Sequence, residues 1–111
     1  MAGWLTTHVL DTARGRPAAG MKVDLWRIEG ETRRHIRMLT TNADGRTDRP
    51  ILPEAEFEPG LYELSFHVGD WARNGDTFFD LLPIRFMMTE PTHYHVPLLV
   101  SPYGYSTYRG S

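Results

Sequence analysis

Three histidines and one arginine are the residues of this chain best suited to acid–base chemistry. His93 and His95 lie two positions apart at the start of a predicted strand, so both side chains project from one face, about 6.5–7 Å apart along the chain. His8 lies in another predicted strand, and Arg46 follows a tight Asp-Gly turn. Histidine exchanges protons near neutral pH, and arginine can hold a planar anion or a developing oxyanion. Their value for catalysis depends on whether the fold brings them together.

Each of these residues also has a more ordinary interpretation. A lone strand histidine is more often a surface or hydrogen-bonded structural residue, and a turn arginine is usually solvated. The pair His93 and His95 is also compatible with a zinc site, because neutral imidazole is a common zinc ligand. A third ligand would have to come from His8 or a carboxylate, and the spacing does not match a helical His-Glu-x-x-His site. Zinc therefore stays open as an alternative on the residues alone.

The C-terminal segment is unusually aromatic. Tyr103, Tyr105, Tyr108 and Arg109 follow the apolar run 96–100 directly, whereas most chains end in a few disordered polar residues. One interpretation is a last strand with a short exposed end. The sharper prediction is that the end of the chain is ordered and helps to build a site.

Composition narrows the function classes. A chain of 111 residues suits a single domain, 1–111, and a net charge of −2 gives no electrostatic case for nucleic acid or an anionic membrane. The absence of cysteine removes disulfides, thiolate nucleophiles and cysteine-ligated zinc. The first residues do not form an export signal, and no apolar run approaches the roughly 20 residues of a membrane span. We therefore expect a cytoplasmic protein that does not enter a membrane.

The elements that must position these side chains are strands. Apolar residues alternate with others in the segments 62–68, 82–88 and 94–100, and alternation of period two is typical of half-buried strands. Gly-, Pro- and Asp-rich turns separate these runs, which predicts an all-β antiparallel sandwich or barrel. A short helix is predicted at 70–74. Leu99 is apolar on the predicted non-core face, which indicates that another subunit covers that face.

Three segments together resemble one family. They are 5–12 with 15–18, then Thr-Asn-Ala-Asp-Gly-Arg at 41–46, and finally 94–111 with its closing Tyr-Arg-Gly-Ser. Over essentially its full length the chain is similar to the transthyretin-like 5-hydroxyisourate hydrolases of purine catabolism. Val100 stands where that family more usually has leucine, which is a conservative change.

The resemblance implies a transthyretin-like fold, with two four-stranded sheets and one short helix. It implies a homotetramer whose active sites lie in a channel between dimers, and no metal or organic cofactor. The implied reaction is water attack on the C6 carbonyl of 5-hydroxyisourate, which opens the six-membered ring to give 2-oxo-4-hydroxy-4-carboxy-5-ureidoimidazoline. The catalytic residues implied by the family motifs are His8, Arg46, His95 and Ser111. Tyr108, Arg109 and Gly110 are implied to bind substrate.

Two other classes of function are alternatives to this hydrolase. A carrier of the transthyretin type would bind a small aromatic ligand in the same channel. Such carriers lack the set formed by His8, Arg46, His95 and the closing Tyr-Arg-Gly-Ser, all of which this chain has. A non-catalytic β-sandwich module would explain the strands but not this set of polar residues. His35 and His67 match no catalytic position of the family, and His93 is expected to have at most a supporting role.

Overall fold

Two four-stranded sheets form the computed structural model, which describes residues 3–73, 75 and 77–111. The first sheet has the strand order β2-β1-β7-β8 and the second the order β4-β3-β5-β6. The strands are β1 (Trp4–Asp11), β2 (Arg16–Pro17), β3 (Lys22–Glu29), β4 (Thr32–Thr40), β5 (Gly60–His67), β6 (Leu81–Met88), β7 (His93–Ser101) and β8 (Gly104–Thr107). A short 3₁₀ turn at Glu54–Glu56 and the helix α1 (Val68–Ala72) complete the described elements. The prediction of an all-β sandwich of two four-stranded sheets with one short helix is confirmed.

The strand pairs of the described chain are antiparallel, as predicted, except for the pairing of β1 with β7, which is parallel. Its register sets Trp4 beside His93 and Thr6 beside His95. Because side chains alternate between the two faces of a sheet, all four of these residues lie on one face. This pairing positions the candidate site.

The core lies between the two sheets and comes from the alternating apolar residues. On β1, Leu5 and Val9 are fully buried, and on β7, Leu98 is fully buried. The predicted alternation in 94–100 is confirmed, because its core-facing residues are buried. The largest fully buried side chains are Tyr62, Phe66, Leu5, Met21, Leu25, Ile51, Leu52, Leu64, Met88, Leu98, Val9 and Val23.

Strand β4 was not indicated by apolar alternation. Its segment 32–40 is rich in arginine and largely exposed at the edge of the second sheet. Charged edge strands are common because they discourage pairing with other chains. The strand conformation of β4 therefore depends on hydrogen bonding to β3 rather than on burial of one of its faces.

The helix starts earlier than the predicted 70–74. It runs from Val68 to Ala72, and Asn74 lies outside the described residues. Val68 was expected to continue the alternation of β5, but it begins α1 and is buried there. Because β5 and α1 join without a loop, Val68 packs into the core as the first residue of the helix.

Within the described part of the chain, no helix is long and apolar enough to cross a membrane. The domain bounds 1–111 and the cytoplasmic location remain predictions.

Candidate active site

The outer face of the first sheet carries the candidate site. His8 projects from β1 and His95 from β7, both on the side opposite the core, and both are partly buried. The alternation of β1 explains this, because Leu5, Thr7 and Val9 take the buried positions. The prediction that His95 faces outward is confirmed.

A backbone bridge to β1 positions Arg46 beside the outer face of the first sheet. His8 and Arg46 form an isolated antiparallel bridge, and the N–H of Val9 donates to the carbonyl of Gly45 at 2.8 Å. The His8 ring donates from Nε2 to the carbonyl oxygen of Asp44 at 2.9 Å. In neutral His8 that bond leaves Nδ1 as the unprotonated nitrogen.

Gly45 allows this close approach. Its φ is +76°, and a β-carbon there would lie 2.3 Å from the carbonyl oxygen of Val9. A side chain would therefore collide with the backbone of β1 and strain the turn. The glycine of the Asp-Gly turn is therefore needed for the close contact between this turn and β1.

Asn42 organises the loop that presents Arg46, a role that the sequence motif did not assign to it. Its side-chain oxygen accepts hydrogen bonds from the N–H of Asp44 at 2.9 Å and of Arg46 at 3.2 Å. Its backbone N–H donates to the carbonyl of Arg46 at 2.7 Å. The signal was available, because asparagine two residues before Asp-Gly is suited to an Asx turn.

The end of the chain closes the site from the other side. The tail that follows β8 returns along β7, and the N–H of Gly110 donates to the carbonyl of His95 at 2.7 Å. The next residue, Ser111, lines a pocket of about 400 Å³ together with Thr6, Thr7, Arg46, Thr47, Asp48, Arg49, Pro50, His93 and His95. The end of the chain is ordered against the site, as the sequence predicted.

A hydroxyl group connects the two histidines of β7. Oγ1 of Thr6 is 2.7 Å from Nδ1 of His95 and 2.7 Å from Nε2 of His93. The His93 ring is stacked on the indole of Trp4, with 4.5 Å between the ring centroids and 6° between the planes. The sequence alone assigned no role to Thr6 or Trp4.

The electrostatics favour neutral imidazoles. Burial lowers the pKa of His8 from its ordinary value, and the guanidinium of Arg46 lowers it further, against the opposing effect of Asp44. Burial, followed by the charges of Arg46, His93 and His8, likewise lowers the pKa of His95. Both rings are therefore neutral near neutral pH and can each accept a proton, and Arg46 supplies a fixed positive charge at the same face.

A sequence model of the HIUase/Transthyretin family matches residues 5–110. The chain belongs to this family. A Mesorhizobium japonicum protein named 5-hydroxyisourate hydrolase is 57% identical over 115 residues, which cover 98% of this chain and 93% of that protein. A mouse protein of the same name is 42% identical over 112 residues, covering 96% and 94%.

Solved structures of the HIUase/transthyretin family have the same fold. The 5-hydroxyisourate hydrolase of Klebsiella pneumoniae aligns with a TM-score of 0.83 at 37% identity, over 98% of this chain and 94% of that one. Sea bream transthyretin in complex with thyroxine aligns with a TM-score of 0.86 at 24% identity, over 96% and 93%. The second likeness shows the fold alone, because its identity is low.

The structure does not bring every residue implied by the family motifs into this pocket. Arg46, His95 and Ser111 line it, and His8 is bridged to Arg46. Tyr108 and Arg109 instead line a separate cleft of about 310 Å³ beside β6. The guanidinium of Arg109 lies over the ring of Tyr94, 4.4 Å from its centroid. Substrate binding by Tyr108 and Arg109 therefore remains a prediction that the protomer alone does not explain.

Among the described residues, no group of three or more His, Cys, Asp or Glu side chains is arranged to hold a metal ion. The three site histidines take part in other contacts: His8 bonds the carbonyl of Asp44, and His93 and His95 share the hydroxyl of Thr6. These contacts suit acid–base chemistry by the imidazoles themselves.

Proposed function

We propose that this protein hydrolyses 5-hydroxyisourate, with His8 and His95 as its acid–base pair. The observation that carries the proposal is that Arg46 and His95 line one pocket, and that His8 is joined to Arg46 by a backbone bridge at the outer face of β1 and β7. Family relatives named 5-hydroxyisourate hydrolase, matched over nearly the whole chain, support the choice of substrate. A histidine pair beside an arginine suits the addition of water to a polarised carbonyl.

Each histidine has one nitrogen available for the reaction. Nε2 of His8 is bonded to the carbonyl of Asp44, so Nδ1 is its basic nitrogen. Nδ1 of His95 is bonded to Thr6, so Nε2 is the nitrogen that can meet a water or the substrate. One ring takes the proton from the attacking water while the other orients the water. The proton that was taken up is then returned to the departing ring nitrogen.

Arg46 supplies the positive charge. Water attack on the C6 carbonyl places negative charge on the carbonyl oxygen, and the planar guanidinium can donate two hydrogen bonds to it. The C–N bond of the six-membered ring then breaks, and the ring nitrogen receives a proton. Ser111 lies at the pocket wall and orients water or substrate. Substrate binding by Tyr108, Arg109 and Gly110 is proposed from the family motif alone, because Tyr108 and Arg109 line a separate cleft of the protomer.

The active form in this proposal is a homotetramer with its sites at the interface between dimers. Leu10 and Leu99 are neighbours in the register of β1 and β7, and both are on the outer, non-core face. Apolar side chains beside a polar pocket suit a face covered by a second subunit. A partner subunit would also narrow the pocket, which is open in one protomer.

A stopped-flow ultraviolet assay tests the proposal. Urate oxidase generates 5-hydroxyisourate in place, and the decay of its absorbance is followed with and without this protein, and with and without a chelator. We expect decay well above the spontaneous rate, insensitive to chelator. Decay at the spontaneous rate from a folded protein would contradict hydrolysis and direct attention to a carrier of small aromatic ligands.

A further inference from the structure

The hydroxyl of Thr6 lies between two imidazole rings at hydrogen-bond distance from both. It is 2.7 Å from Nδ1 of His95 and 2.7 Å from Nε2 of His93. A hydroxyl has one hydrogen to donate and can accept from an N–H group at the same time. When it donates to one ring and accepts from the other, the protonation of the two rings is coupled.

The direction of these two bonds decides whether His95 can act as a base. If Thr6 donates to Nδ1 of His95, neutral His95 has its hydrogen on Nε2 and cannot take a proton there. If Thr6 instead donates to His93 and accepts from Nδ1–H of His95, Nε2 of His95 is unprotonated. The atom next to Nε2 in this ring, Cδ2, faces Gly110, whose neighbour Ser111 lines the pocket.

The surroundings of His93 favour the second direction during catalysis. Its ring is stacked on Trp4, and the face of an indole attracts a cation. Burial, followed by the charge of Arg46, lowers the pKa of His95, so a positive charge on that ring is disfavoured. The chain of two hydrogen bonds ends at His93, whose stacked indole can stabilise a positive charge.

We propose that Thr6 is a positioning residue that makes Nε2 of His95 the general base and relays the accepted proton to His93. The inference rests on the proposed hydrolysis and adds to it which histidine is the base. In the step, the water oxygen forms a bond to the substrate carbonyl carbon, and the π electrons of that carbonyl move to its oxygen. The water proton goes to Nε2 of His95, Nδ1–H passes to Oγ1 of Thr6, and the Thr6 hydrogen passes to Nε2 of His93. His95 and Thr6 end neutral, and His93 becomes an imidazolium.

Thr6→Val tests the relay, since it keeps the β-branched shape of the residue and removes the hydroxyl. We expect kcat to fall about 10- to 100-fold with KM changed much less. Thr6→Ser, which restores a hydroxyl, should recover most of the activity.

His93→Phe, which can still stack on Trp4 but accepts no proton, should reduce kcat by a similar factor. The double variant Thr6→Val with His93→Phe should be little worse than either single variant, because both interrupt one chain of bonds. Full kcat in Thr6→Val, or additive losses in the double variant, would overturn the proposal.

Nitrogen-15 NMR of the histidine rings gives a readout that does not depend on turnover. At a pH where His95 is neutral, wild-type protein should have its hydrogen on Nδ1 and a bare Nε2. Thr6→Val should shift His95 toward the other tautomer, while His8 keeps its hydrogen on Nε2. A wild-type His95 with hydrogen on Nε2 would overturn the assignment. Absence of hydrolysis by wild-type protein would contradict the proposed function, whereas hydrolysis unaffected by Thr6→Val would contradict the relay alone.

Discussion

Gly110 forms a backbone hydrogen bond with His95, and its α-carbon packs closely against the His95 imidazole ring. Its N–H donates to the carbonyl of His95 at 2.7 Å, and a β-carbon at position 110 would lie 2.6 Å from Cδ2 of the imidazole. Carbon atoms do not approach so closely without displacement. The absence of a side chain at position 110 therefore allows the end of the chain to pack directly against the His95 ring.

Gly110→Ala should displace the His95 ring while leaving the fold intact. The methyl group cannot fit unless the ring or the last residues move by a sizeable fraction of an ångström. Because proton transfer depends on position, we expect kcat to fall about 100-fold with little change in melting temperature. Stopped-flow kinetics and thermal unfolding measure the two quantities.

Gly104→Ala is the matched control for this variant. A β-carbon at position 104 meets only the hydroxyl oxygen of Ser101 at 3.6 Å, an ordinary contact, so activity should be retained. Equal losses in both variants would mean that the steric contact with His95 has no special importance.

Arg46→Gln should move the pH dependence of the reaction as well as its rate. The guanidinium lowers the pKa of both His8 and His95, so its removal raises both pKa values, although burial still holds them down. On acidification, the neutral forms of His8 and His95 are then lost at a higher pH than in the wild type. The acid limb of kcat/KM should shift upward, and kcat should fall about 10²- to 10³-fold as oxyanion stabilisation is lost.

Arg49→Gln is the control for charge, because Arg49 lines the same pocket but does not shift either histidine. Its acid limb should stay at the wild-type position. An acid limb that does not move in Arg46→Gln, or that moves equally in both variants, would contradict the electrostatic effect of Arg46 on the two histidines.

The strands and the outward direction of His95 could be predicted because they follow from local rules. Alternation in 94–100 sets one face of β7 in the core, and the resulting orientation of His95 needs no knowledge of other strands. The turn before Arg46 could be located in the same way, from Asp44-Gly45. The family motifs then joined these pieces into one expectation.

The contacts across strands could not be predicted from local rules. Thr6 meets His93 and His95 because β1 and β7 are parallel in one particular register, and residues nearly ninety positions apart become neighbours. Nothing in the segment around Thr6 indicates that register. The position of Arg109 over Tyr94, away from the pocket, likewise depends on how the tail crosses β7.

Leu99→Glu should disrupt the proposed assembly. Leu99 lies beside Leu10 on the outer face, and a carboxylate there would be desolvated if a second subunit covers it. We expect sedimentation velocity to show a species smaller than the wild-type tetramer, with kcat/KM reduced about 10-fold or more because the pocket is left open.

Met38→Glu is the control for surface charge, because Met38 is an exposed apolar residue on β4 of the other sheet. It should leave the assembly and the activity unchanged. A wild-type monomer, or an unchanged tetramer in Leu99→Glu, would contradict the proposed interface.

The catalytic roles of His8 and His95 are the central claim, and single-turnover decay of 5-hydroxyisourate in the His8→Asn and His95→Asn variants tests them most directly. His35→Asn, a change at an exposed histidine of the second sheet, serves as the control. We predict that the two site variants fold and assemble as the wild type does, but lose about 10²- to 10⁴-fold in kcat, while His35→Asn keeps full activity. Near-wild-type turnover in either site variant would contradict the role assigned to that histidine.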